Sequence, residues 1–98
     1  MKSRLPTHEW ASSTPSLEIL ALADQLCILR VQLRKQAQSA EHDAAIGAVA
    51  QAEVAAKSGN GSAMLEALAS AGKWALEIAE KIGVTLAAFA IRKALGLP

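Results

Sequence analysis

The segment Lys81–Leu95, KIGVTLAAFAIRKAL, decides how this chain folds. From Ile82 to Ile91 it carries no charge, and Thr85 is its only polar residue. A helix this apolar does not lie open on a surface. A helix that crosses a bilayer needs about 20 mostly apolar residues, and widening the window to Trp74–Arg92 brings in Glu77, Glu80, Lys81 and Arg92. Protein must therefore cover the segment, and the natural cover is a second helix that is apolar on several sides.

The chain supplies one. Ile19, Leu22, Leu26, Leu29 and Leu33 repeat at 3-4-3-4 spacing, while Leu17, Leu20, Cys27, Ile28 and Val31 occupy adjoining faces. The pattern predicts a helix over 15–38, with Thr14 as N-cap and Pro15 at the first helical position, where a missing N–H costs nothing. Glu18 near its start and Arg34 and Lys35 near its end suit the helix dipole. Such a helix is either central in a bundle or shared between chains.

Between these two segments the apolar residues are smaller. Ser39 predicts the cap of a second helix over 40–58, whose Ala45, Ala48, Ala52 and Ala56 would let a neighbour come close. Ser58-Gly59-Asn60-Gly61 offers the left-handed conformations that end a helix and turn the chain. A third helix over 62–71 then meets Gly72. The stripe Leu68, Gly72, Ala75, Ala79, Ile82, Leu86 and Phe89 would suit one long helix. A mid-helix glycine costs about 1 kcal/mol relative to Ala, which favours a break there and a fourth helix over 73–95. Gly83 sits four residues from both Ala79 and Ala87, a spacing that predicts a close helix crossing and not a stop. The expected architecture is an all-α, compact bundle of about four helices, as a single domain over 14–98 preceded by an N-terminal arm over 1–13.

Composition bounds what this bundle can do. The chain has 98 residues, 52 % of them apolar, but 22 are alanine and only 13 leucine. Alanine adds little buried area, so the core is thin in energy, and such a chain often completes it with another copy or another domain. Ten Lys and Arg balance nine Asp and Glu, which removes the electrostatic case for nucleic acid. Arg30, Arg34 and Lys35, with Lys2 and Arg4, form the one basic group, and it reads as a solvated helix end. One cysteine, Cys27, excludes an intramolecular disulfide and points to a reduced, cytoplasmic setting; in apolar company it reads as a small buried hydrophobe. The N-terminus lacks the apolar run of a secretory signal. The arm contains Trp10, which predicts that it docks on its own helices or on a neighbouring copy.

No catalytic pattern survives inspection. His8-Glu9-Trp10 begins like a zinc-protease helix, but Ser12 stands where the second histidine belongs. With only His8 and His42 in the chain, no metal site is expected, and no cofactor. Gly59–Ser62 lacks the longer glycine frame of a phosphate loop and reads as a turn. Glu77 and Glu80 are spaced to pair with Lys73 and Lys81 on an exposed helix face. Trp74 reads equally as a wedge between helices or as an interface anchor.

One stretch carries a resemblance. The residues GNGSAMLEALASAGKWALEIAEKIGVTLAAFAIRKALG include the Gly59–Ser62 turn, Leu65, Leu68, the step Ala71-Gly72-Lys73-Trp74, Ala79, Ile82-Gly83-Val84 and Gly96. This stretch resembles small helical modules of uncharacterised bacterial proteins, some of them from defence and conflict systems. The resemblance implies an adaptor or assembly module without an active site.

The function expected from these features is that of a small non-enzymatic helical interaction protein that self-associates through helices one and four, or docks on a partner domain. The residues expected to pack or to form the interface are Leu22, Leu26, Leu29, Leu33, Trp74, Ile82, Gly83, Leu86 and Phe89. The alternative, drawn from the positive mean hydropathy of +0.25 and the two apolar helices, is a membrane-active bacterial effector. It would be pore-forming or toxin-like, inserting those helices as an oligomer.

Overall fold

Residues 17–98 are described by a computed structural model. The arm over 1–13, the cap expected at Thr14 and the helix start expected at Pro15 lie outside the described residues. Those described form four α-helices and no strand: α1 (Leu17–Gln36), α2 (Ala40–Lys57), α3 (Gly61–Ile82) and α4 (Thr85–Ala94).

The helix ends follow local chemistry. Ser39 Oγ accepts the His42 N–H at 3.1 Å, opening α2 as expected. His42 reciprocates, its Nδ1 accepting the Gln38 N–H at 3.1 Å. At the far end, Gly59 N–H donates to Ala56 O and Asn60 N–H to Ala55 O. These two bonds use carbonyls that the helix end would leave unpaired. Asn60 then caps α3, its side chain accepting the Ala63 N–H at 3.0 Å.

The break expected at Gly72 is present. Its φ of 80° and ψ of −175° are not helical, so α3 is two arms meeting at that residue. This conformation is open in practice only to glycine.

Gly83 corrects the expectation of a continuous helix over 73–95. It is the left-handed C-cap of α3, with φ 84° and ψ 19°, and α4 begins two residues later. No close crossing occurs there either, because a Cβ added to Gly83 would meet nothing within 4 Å. The small residues at Ala79, Gly83 and Ala87 serve a corner, and the corner resets the helical phase. Leu68, Ala75 and Ala79 keep their places in the core, and Ile82 is half-buried against it. Beyond the corner α4 buries Ala87, Ala88, Ala90 and Ile91 and leaves Leu86 and Phe89 exposed.

The core lies between α1, α2 and α3 and is closed by α4. Leu22, Leu26, Leu29 and Leu33 form the inner stripe of α1; Leu26, Leu29 and Leu33 are wholly buried. They meet Val49, Ala52 and Ala56 of α2, Leu68, Ala75 and Ala79 of α3, and Ile91 of α4 in one cluster. Alanine at the contact positions Ala48, Ala52 and Ala56 of α2 leaves little side-chain bulk between the helices. Thus α1 helps to cover the inner side of the C-terminal apolar segment, while Leu86 and Phe89 of that segment stay exposed.

Candidate self-association surface

The residues named from sequence separate into two groups. Leu22, Leu26, Leu29 and Leu33 are core, and Ile82 packs against it. Trp74 is half-buried and stacks on His42, with ring centroids 3.8 Å apart and planes 8° from parallel. This stack ties the second arm of α3 to the first turn of α2, so Trp74 joins helices within the chain. Gly83 stands exposed at its corner. Of the nine, only Leu86 and Phe89 present large apolar surface to solvent, Phe89 at 64 % exposure.

Further exposed apolar residues come from the second set on α1. Leu17, Leu20, Ile28 and Val31 are all exposed, and Val54 of α2 is exposed as well. At about 100° per residue Leu17, Ile28 and Val31 point away from Leu26 and Leu33. The sequence shows that α1 has two apolar faces; it does not show which one the rest of the bundle will occupy.

Between α1, the start of α3 and α4 runs an apolar groove of about 260 Å³, lined by Ile19, Leu22, Leu65, Leu86 and Phe89 among others, with Glu18 and Lys93 as its charged members. Among the described residues no three His, Cys, Asp or Glu side chains gather as metal ligands.

Polar contacts fix how α1 is held. Arg30 Nε donates to Glu53 Oε1 at 2.7 Å, and Lys57 Nζ lies 3.1 Å from Glu53 Oε2. Glu53 is 5 % exposed. Burial alone pushes its carboxyl up, but the hydrogen bonds from Arg30 and Lys57 and their positive charges outweigh burial and hold it below its ordinary value. Arg30 is raised in turn, by its hydrogen bond to Glu53 and by that residue's charge. Arg30 is therefore not part of a basic patch with Arg34 and Lys35. It also donates to Cys27 Sγ at 3.6 Å, so Cys27 is a half-buried thiol with a cationic neighbour and not a fully enclosed hydrophobe. Glu80 pairs with Arg92 of α4 across the Gly83 corner, in place of the expected lysines.

The remaining link is Gln25, whose Oε1 accepts the Ala87 N–H at 3.0 Å. Val84, at the N-cap of α4, has no side chain able to do this. Sequence gave no sign of the bond, since the partners are 62 positions apart.

No family model, curated protein or solved structure matches this chain. None of the described helices is long and apolar enough to cross a membrane.

Proposed function

We propose that this chain is a small, non-enzymatic, cytoplasmic helical interaction protein that self-associates through the outward faces of α1 and α4. The observation that carries this reading is the exposure of Leu17, Leu20, Ile28 and Val31 on α1 and of Leu86 and Phe89 on α4. Single exposed apolar residues are ordinary. Six on two helices that pack together form the type of surface that associates. The resemblance of residues 59–96 to helical modules of uncharacterised bacterial proteins, some from defence and conflict systems, agrees with an assembly role. Light scattering after size exclusion, over a concentration series, tests it. The expected result is a defined multiple of 10.2 kDa; a monomer at every concentration overturns it.

The alternative of a membrane-active effector gains no support from the described helices, none of which is both long and apolar enough to cross a membrane. At ten residues, α4 is about 15 Å long against a hydrocarbon core of about 30 Å. Dye release from liposomes at micromolar protein would restore that alternative.

A further inference from the structure

The outer face of α1 has an order of its own. Asp24, Ile28, Val31 and Lys35 follow one another at 4-3-4 spacing, and all four are exposed. At about 100° per residue they fall within a sector of roughly 60°, opposite the buried stripe. Neither Asp24 nor Lys35 forms an ion pair among the described residues.

This stripe is self-complementary under a two-fold axis. If two copies of α1 pack antiparallel about a point midway between Ile28 and Val31, each Ile28 meets the other copy's Val31. Each Asp24 then meets the other copy's Lys35. Both relations follow from equal residue sums, 24 with 35 and 28 with 31. A two-fold interface requires this reciprocity, because the same patch must complement itself. A parallel, in-register pairing would instead set Asp24 against Asp24 and Lys35 against Lys35, which disfavours it.

We propose that the chain forms an antiparallel homodimer seamed along α1, with Ile28 and Val31 at the centre and two reciprocal Asp24–Lys35 ion pairs outside them. The occupant of this face is a second copy of the chain, selected by charge order as well as by apolar contact. The inference rests on the self-association reading above and places its centre. Two apolar residues per helix make a seam smaller than a standard interface of about 1,200–2,000 Å². The dimer therefore dissociates within a micromolar concentration series. Its ion pairs are exposed, so it weakens as salt is added.

The test uses the full chain at low ionic strength, with molar mass followed by light scattering. Asp24→Lys places two like-charged contacts in the seam, as does Lys35→Asp, and each variant alone is expected to dimerise roughly tenfold or more weakly. An equimolar mixture of the two recovers both opposite-charge contacts and is expected to dimerise like the wild type. Ile28→Glu is expected to leave a monomer. All three positions are exposed, so circular dichroism should show unchanged helix content. A wild-type chain that stays monomeric overturns both the self-association reading and the seam. A wild-type dimer that Phe89→Glu dissociates, but that the charge variants leave intact, keeps self-association and overturns the seam. Charge variants that weaken the dimer without recovery on mixing also overturn it.

Discussion

Gln25 of α1 completes the first turn of α4: its side-chain oxygen accepts the Ala87 N–H at 3.0 Å, a capping bond delivered from another helix. Local caps are supplied by the residue that opens the helix. Here that residue is Val84, which has no side-chain acceptor, and α1 stands in. At ten residues α4 is shorter than a helix that persists alone in water, so the contact both positions it and supports its existence.

Gln25→Ala should therefore destabilise the fold by about 1 kcal/mol, the usual worth of a cap. For a domain of this size that lowers Tm by roughly 4–8 °C. Gln25→Glu keeps an acceptor and adds a charge that the helix N-terminus favours. It should melt close to the wild type; if both variants melt alike, the capping bond is not what matters at this position.

The buried Glu53 predicts a dependence on acid. Its carboxyl is held below its ordinary value of 4.5, so the folded state binds its proton less readily than the unfolded state does. The stabilisation is complete above 4.5 and is lost as pH falls from there through the lowered folded value. Glu53→Gln should cost about 1–3 kcal/mol near neutrality, because Arg30 and Lys57 lose a charged partner. The variant should also show a smaller loss of urea midpoint between neutral and acid pH. Equal pH slopes for the two proteins would remove Glu53 from the account.

Gly83 should resist any side chain, whatever its size. The left-handed conformation disfavours a Cβ by about 1–2 kcal/mol, and the space beyond is open. Gly83→Ala and Gly83→Leu should therefore lower Tm by similar amounts. A much larger loss with leucine would indicate the close crossing that the geometry excludes.

The His42–Trp74 stack should appear as a coupling. Aromatic pairs contribute about 0.5–1.5 kcal/mol beyond their buried area. A double-mutant cycle with His42→Ala and Trp74→Leu should return a value in that range, and additive losses would show that the rings merely lie side by side.

Much of the fold is readable in the sequence because the signals are local. Ser39, the turn at Ser58–Gly61 and the break at Gly72 each need only a few neighbouring residues. Gly83 misleads because its four-residue spacing from Ala79 and Ala87 is the same for a helix crossing as for a corner, and only its φ separates them. The candidate surface was half readable. The second apolar set on α1 is plain in the sequence, but which set faces inward depends on where α2, α3 and α4 pack. Gln25 and Arg30 lie beyond any local pattern, since their partners are 62 and 23 positions away.

The corner at Gly83 decides more than a change of direction. Had the helix run on in phase, Leu86 and Phe89 would have continued the inward row of Ala75, Ala79 and Ile82. Because the chain turns, the same residues meet water, and Val84, Ile91 and three alanines take the interior. Two residues with non-helical backbone, Gly83 and Val84, thus sort a segment's side chains into hidden and displayed. A chain that straightened there would keep its composition and exchange its surface, becoming a molecule with different things to touch.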